Sequence, residues 1–164
     1  MEINKSSRHS KIVGNFGENL ICNLLSKSGF ESVLVDHTGL DIIAYNQSIG
    51  RIGITVKSRT RNKGKEGTSV ILFKKNDRQK LLDACNAFAC MPWIAIYVET
   101  SDYADIYLTS LENYEKYRNT KKTVTDNWGM GAKNKQIYDS DKDVKHIRID
   151  FKSQNWFEGT KRKN

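Results

Sequence analysis

Two short apolar runs, separated by a polar stretch, constrain the fold of this chain more than any other feature of its sequence. Residues 39–45 and 51–59 are rich in β-branched side chains and flank a segment suited to a turn. This pattern predicts two neighbouring strands of an antiparallel hairpin. Because side chains alternate between the faces of a strand, Thr55 and Lys57 are expected on the same face. Asp41 on the first strand and Lys57 on the second rise from apolar surroundings, and this pair of opposite charges indicates a site.

Apolar periodicity in the rest of the chain predicts an alternation of helices and strands. Beyond the hairpin, the predicted elements are helices over residues 11–27, 76–89 and 111–118 and strands over residues 30–35, 69–73, 93–98, 103–109 and 144–151. Asn76 or Asp77 is in position to cap the second helix. Because this helix separates strands 69–73 and 93–98, we expect those two strands to form a parallel crossover.

The faces of the predicted helices follow from the same periodicity. The apolar stripe of the first helix is formed by Ile12, Phe16, Leu20 and Leu24, widened by Val13, Ile21 and Leu25. Glu18 lies at the edge of this stripe, where it either reaches over the sheet or is an ordinary exposed glutamate. The buried stripe of the second helix is expected to comprise Leu81, Leu82, Cys85 and Phe88.

Residues 119–143 lose the periodicity, which predicts a long irregular excursion between the core and the closing strand. Within it, Trp128 is interpreted as a core residue, with stacking on a nucleic-acid base as the alternative. The basic residues of the tail, Lys161–Lys163, are expected to fray.

Length and composition favour one soluble domain spanning residues 1–164, with its core at about 12–118. A chain of 164 residues can bury one substantial core. Charged residues make up 28% of the chain, and the sequence contains no apolar run long enough to span a membrane. The first residues of the sequence lack the apolar region of a secretory signal. Three cysteines without framework spacing predict reduced thiols and a cytoplasmic location.

The positive charge is concentrated immediately after the candidate site. Between residues 57 and 80 there are nine basic residues and two acidic ones, which accounts for +7 of the net charge of +8. Such a cluster favours a polyanionic partner, because neutralised phosphates release condensed counterions. The alternative is a solvated loop that keeps the protein soluble.

The spacing of the polar residues resembles the PD-(D/E)XK nuclease superfamily, most closely its Holliday-junction resolvase-like and restriction-endonuclease-like branches. In that pattern a glutamate on a helix precedes an aspartate on a strand, and the next strand carries an acid, any residue and a lysine. Glu18, Asp41 and Lys57 match three of these positions, whereas Thr55 stands in place of the second acid. The resemblance covers residues 12–98.

The resemblance implies a restriction-endonuclease-like α/β fold, with a central mixed sheet flanked by helices. It further implies divalent-metal-dependent cleavage of DNA, with Mg²⁺ or Mn²⁺ as cofactor, and a possible homodimer. Glu18, Asp41 and the backbone carbonyl of Val56 would hold the metal. Thr55 would occupy the altered ligand position, and Lys57 would position the water or stabilise the developing charge.

The basic cluster is the candidate phosphate-binding surface of such a nuclease. The helix that begins near residue 76 adds free N–H groups and a positive dipole end, which favour phosphate. The candidate nucleic-acid-binding residues are Arg59, Arg61, Lys63, Lys74, Lys75, Arg78, Gln79 and Lys80.

Thr55 leaves three outcomes open, because a neutral hydroxyl replaces a charged ligand. Glu18 and Asp41 suffice with a weak contribution from Thr55, or cleavage has been lost, or a carboxylate from Asp36, Glu66 or Asp77 takes over. A purely structural ion pair between Asp41 and Lys57 would leave the same residues in the sequence. The rival functions are a non-catalytic nucleic-acid-binding module on the same fold and an interaction protein without a nucleic-acid role.

Overall fold

The structure is a computed structural model that describes residues 3, 5–62, 65, 70–117 and 125–151. Lys63, Glu66 and the basic tail lie outside the described residues. The elements in chain order are α1 (His9–Lys27), β1 (Glu31–His37), β2 (Leu40–Asn46), β3 (Gly50–Thr60), β4 (Val70–Lys74), α2 (Lys75–Ala87), β5 (Met91–Glu99), β6 (Tyr103–Ser110), α3 (Leu111–Tyr117), β7 (Thr125–Gly129), α4 (Ala132–Ser140) and β8 (Lys145–Asp150).

A mixed six-stranded sheet with the strand order β1-β2-β3-β5-β6-β8 forms the centre of the molecule. Strands β3 and β5 run parallel, and the other neighbouring pairs are antiparallel. Helix α1 packs on one face of the sheet and α2 on the other, against separate apolar clusters. The predicted α/β fold and the predicted β2–β3 hairpin are therefore confirmed.

The predicted crossover joins different strands from those expected. Strand β5 pairs in parallel with β3, not with β4. Strand β4 instead forms a two-stranded antiparallel sheet with β7. The central strand β3 already has β2 and β5 as neighbours, so the segment containing β4 and α2 is the connection from β3 to β5.

The prediction of an irregular excursion over residues 119–143 is wrong for the part that the structure describes, because β7 and α4 form there. Both are short and polar, so their order comes from tertiary packing rather than from periodicity. Trp128 of β7 is fully buried, stacks on Tyr138 of α4 at 4.0 Å and donates from Nε1 to the Tyr114 carbonyl at 3.0 Å. The interpretation of Trp128 as a core residue is confirmed.

Helix α1 is rotated relative to its predicted apolar stripe. Ile12 and Phe16 are 59% and 49% exposed, whereas the buried positions are Val13, Gly17, Ile21 and Leu25. A Cβ at Gly17 would lie 2.3 Å from Ser58 Oγ of β3 and 3.4 Å from Tyr97 Cδ1 of β5. The helix approaches the sheet closely at this glycine. Because glycine has no side chain, it does not contribute to the apolar pattern from which the buried face of the helix is predicted.

Two expectations for α2 are corrected. Its N-cap residue is Lys74, which makes no side-chain capping hydrogen bond, so Asn76 and Asp77 lie within the first turn instead. Phe88 is 41% exposed and packs edge-on against His37, with ring centroids 5.3 Å apart, because the helix ends just before it.

The three cysteines are free thiols, as predicted. Within the described part of the chain, no helix has the length and apolar character needed to cross a membrane.

Gly39, in the turn before β2, positions the hairpin against α2. It has φ +91°, and a Cβ there would lie 2.6 Å from the backbone carbonyl carbon of Lys80. We expect Gly39→Ala to lower the free energy of unfolding by about 2–4 kcal/mol, because left-handed strain and a clash with helix backbone add together. Gly50→Ala is the matched control, since φ is +87° there but the nearest atom is Met91 Cε at 3.7 Å. Urea unfolding should show a loss of only about 1–2 kcal/mol for the control, and equal losses in the two variants would contradict the clash.

Candidate active site

The side chain of Asp41 is held at the point where the β2–β3 ladder stops. The last recorded pair of that ladder is Ile42 with Ile54. One residue further on, Asp41 Oδ2 accepts hydrogen bonds from the Val56 backbone N–H at 2.6 Å and from Thr55 Oγ1 at 3.2 Å. The carboxylate therefore occupies the place that a backbone partner would have in a longer ladder.

The same geometry orients the backbone of Val56. The N–H and C=O of one strand residue point to the same side of the strand, as in the paired residues of an antiparallel ladder. Since the Val56 N–H donates to Asp41, the Val56 carbonyl is also directed to the Asp41 side of β3. The carbonyl expected in the metal set thus faces the expected carboxylate.

Glu18 of α1 belongs to the same electrostatic environment. It follows Gly17, the residue of closest approach to the sheet, and is only partly exposed. Burial raises the pKa of the Glu18 carboxyl, and the negative charges of Asp41 and Asp36 raise it further. The charges of Asp41 and Asp36 therefore both act on Glu18. An ordinary exposed glutamate, the alternative interpretation, would not be expected to feel these charges.

Lys57 is directed towards α2 and has a carboxylate neighbour there. Its Nζ lies 3.9 Å from Asp77 Oδ2 and 5.4 Å from the centre of the Phe73 ring, with 21% of the side chain exposed. The ion pair of Lys57 within the described residues is thus with Asp77 rather than with Asp41. A pair of this length at a partly exposed position is weak, so Lys57 can be redirected to a phosphate at little cost. Sequence reasoning missed Asp77 in this role, because a helix residue 20 positions away gives no local signal.

The donors around Asp41 suit a hard divalent cation. Mg²⁺ prefers oxygen ligands and binds proteins through one or two carboxylates while it keeps several waters. Asp41, Glu18 and the Val56 carbonyl offer such oxygens, and the Thr55 hydroxyl adds a neutral one. No three His, Cys, Asp or Glu side chains among the described residues are grouped closely enough to hold a metal by themselves. The residues fit Mg²⁺ or Mn²⁺ as a site completed by water or phosphate.

The candidate phosphate-binding residues are in different environments. Arg59 is exposed on β3, and Lys74 and Lys75 are exposed at the start of α2. Because Asp77 in the first turn of α2 contacts Lys57, this helix N-terminus lies beside the candidate catalytic lysine.

The remaining candidates are engaged to different degrees. Arg78 forms an ion pair with Glu115, and Gln79 Nε2 donates to Asp83 Oδ1 at 2.8 Å. Burial and then the neighbouring charge of Arg59 lower the pKa of Arg61. Lys80 is partly exposed, and its backbone packs against Gly39.

Comparison with solved structures finds a protein of similar fold. The chain is similar to Hjc, a Holliday junction resolvase of the hyperthermophilic archaeon Archaeoglobus fulgidus, with a TM-score of 0.54 and 14% sequence identity over 76% of this chain and 88% of that one. No protein-family model and no curated protein sequence matches the chain. The likeness shows that this chain has the α/β fold of that resolvase.

Proposed function

We propose that the protein is a divalent-metal-dependent DNA endonuclease. The observation that carries this proposal is the position of Asp41 at the open end of the β2–β3 ladder, held by Val56 and Thr55. Burial and the charge of Asp41 both raise the pKa of Glu18 of α1, and Lys57 follows Thr55 on the same face of β3. The arrangement occurs on the fold of a known junction resolvase.

Hydrolysis of a phosphodiester requires an activated water, a polarised phosphate and a stabilised leaving oxygen. A divalent cation held by Asp41, Glu18 and the Val56 carbonyl would supply Lewis-acid polarisation of the phosphate. The Lys57 ammonium, released from Asp77, would donate to a non-bridging phosphate oxygen as charge develops there. Glu18, at the edge of the site, would orient the attacking water.

The substrate would be recognised through its backbone. Arg59, Lys74 and Lys75 are exposed cations near Lys57, and the segment around them contains most of the net positive charge of the chain. Phosphate contacts position DNA without reading its sequence. We therefore propose duplex or branched DNA as the substrate class. A homodimer and a cytoplasmic location, the latter consistent with three free thiols, complete the proposal.

A non-catalytic DNA-binding module is the second candidate, and Thr55 is the observation that favours it. The Thr55 hydroxyl donates to Asp41 at 3.2 Å, where the resembled pattern has a second carboxylate. The lost ligand charge weakens the attraction for a cation. Binding by counterion release needs no metal, so metal dependence separates the two functions.

The test is cleavage of labelled duplex, single-stranded and four-way-junction DNA by the native protein and by Thr55→Glu, with Mg²⁺, Mn²⁺ or EDTA. We expect the native protein to cut with metal and not with EDTA. Thr55→Glu should cut at least about tenfold faster at limiting metal, because an added carboxylate strengthens metal binding. Thr55→Gln is the matched control, since it adds similar bulk without a charge.

The outcomes separate the candidates. Cleavage by Thr55→Glu alone would show that the site is a nuclease site that has lost activity at this position. Salt-dependent DNA binding without cleavage by any variant would support the non-catalytic module. Absence of both binding and cleavage would contradict the two nucleic-acid functions together.

A further inference from the structure

Position 55 carries a threonine where the resembled pattern has an acid, so carboxylates on other elements are candidates for the replacing ligand. Three acids were candidates from the sequence, namely Asp36, Glu66 and Asp77. Asp77 is the neighbour of Lys57 on α2, and Glu66 lies outside the described residues. Asp36 is on β1, which pairs with β2 on the side opposite to β3.

A β-bulge brings Asp36 next to Asp41. In the β1–β2 ladder Leu34 pairs with Ile42 and His37 pairs with Leu40, with a register shift between them. Two residues of β1, Val35 and Asp36, therefore lie opposite the single residue Asp41. A bulge of this kind re-aims a side chain, and bulges occur frequently beside active sites.

The surroundings of the bulge leave Asp36 available to the site. Val35, the first of the two bulged residues, packs against the apolar cluster beneath α2. Asp36 is exposed, so its carboxylate can rotate without loss of packing. It is also close enough to α1 for its charge to act on Glu18. Asp36 thus flanks Asp41 on one side as Thr55 flanks it on the other.

We propose that Asp36 supplies a carboxylate ligand of the metal site in addition to Asp41 and Glu18, in the role that an acid at position 55 would have. The inference rests on the proposed function, because it concerns the same metal. The two aspartates would hold the cation from adjacent strands, together with the Val56 carbonyl and Glu18 of α1. Asp36 would rotate towards Asp41 when the metal binds, since the carboxylates do not form a closed ligand cluster in the structure.

The experiment is calorimetric titration of Mn²⁺ into the full chain without DNA, so that metal binding is read independently of cleavage. We expect Asp36→Asn to weaken Mn²⁺ binding at least about tenfold. Mutation of a group that only supports a metal ligand already costs about 10–100-fold in affinity, and loss of a direct ligand should cost at least as much. Glu31→Gln is the matched control, because it removes one exposed negative charge from the same strand. It should bind Mn²⁺ within about twofold of the native protein, and thermal unfolding should show that both variants are folded.

A compensating variant separates a ligand from a merely nearby charge. Thr55→Glu added to Asp36→Asn should restore Mn²⁺ binding to within about threefold of the native protein, because it returns a carboxylate to the other side of Asp41. A loss of affinity that Thr55→Glu does not restore would contradict the proposal. So would a loss confined to Asp77→Asn, which would assign the replacing carboxylate to α2.

The failure of this inference is distinguishable from failure of the proposed function. If Asp41→Asn abolishes Mn²⁺ binding and Asp36→Asn leaves it unchanged, Asp36 is not a ligand and the nuclease proposal stands. If the native protein binds no Mn²⁺ in the presence or absence of DNA, the metal site and the role of Asp36 are both wrong.

Discussion

Replacing Asp41 by asparagine is expected to lower metal-dependent DNA cleavage by about 10²–10³-fold, the size of effect seen when one electrostatic stabiliser of a transition state is removed. Asparagine keeps an oxygen that can accept from the Val56 N–H, which now donates to Asp41 at 2.6 Å. The variant therefore changes the charge at the site while it leaves the local hydrogen bond in place. The measurement is the single-turnover cleavage rate at saturating Mg²⁺, in the native protein or in Thr55→Glu if that is the active form.

Two controls accompany the Asp41 variant. Its DNA affinity in EDTA should match that of the native protein, because the phosphate contacts proposed for Arg59, Lys74 and Lys75 do not involve Asp41. Its unfolding midpoint should shift by only a few degrees. A cleavage rate within tenfold of native would show that Asp41 is not a metal ligand, whatever other residues contribute.

Removal of the Asp105 carboxylate is expected to cause the largest loss of stability. Asp105 of β6 is fully buried and accepts hydrogen bonds from Arg148 Nε at 2.7 Å, Arg148 Nη2 at 2.9 Å and Lys135 Nζ at 2.7 Å. Its Oδ1 also lies 3.1 Å from His146 Nε2. Asp105→Ala should lower the free energy of unfolding by about 3–5 kcal/mol, because it leaves partly buried cations without their partner.

Urea unfolding checks this effect, with Asp139→Ala as the matched control. Asp139 pairs with the other ring nitrogen of His146 at 2.8 Å, but 45% of its side chain is exposed. An exposed pair contributes about 0–1 kcal/mol, so the control should change stability little. Equal losses of unfolding free energy in the two variants would show that the contribution of Asp105 to stability does not depend on its burial.

The pH dependence of the Asp105 effect has a definite sign. Burial alone would raise the pKa of Asp105, but hydrogen bonds from His146, Arg148 and Lys135 outweigh it and hold the pKa well below its ordinary value. A carboxyl with a depressed pKa in the folded state contributes stability above its unfolded pKa of about 3.9. That contribution is lost as the pH falls further towards the folded pKa. The stability difference between native and Asp105→Ala should therefore decrease as the pH falls below about 4.

Asp105 also shows what sequence reasoning could not find. It lies within β6, while its partners Lys135 and Arg148 come from α4 and β8, some 30 and 43 positions along the chain. The segment that contains Lys135 has no periodicity strong enough to predict a helix. Its structure depends on this buried contact and on the packing of Trp128 against Tyr138, which local pattern does not encode.

The candidate site divides in the same way. Thr55 and Lys57 lie on the same face of β3 because side chains alternate along a strand. Ile52 and Ile54 are buried on the opposite face, as this alternation requires. The bulge at Asp36 and the contact of Lys57 with Asp77 follow from strand register and helix placement, which involve residues distant in the chain.

Local patterns in the sequence were enough to predict the helix α1, the β2–β3 hairpin and the presence of Asp41, Thr55 and Lys57 within it. These features depend on repeats of 3.6 or 2 residues and on residue types, which are local properties of the chain. The buried face of α1 depends on tertiary contacts, because Gly17 allows the helix to approach the sheet at a position that has no apolar side chain. Only the tertiary structure placed Asp36 opposite Asp41, because the side to which a strand residue points changes with a shift of one residue in register.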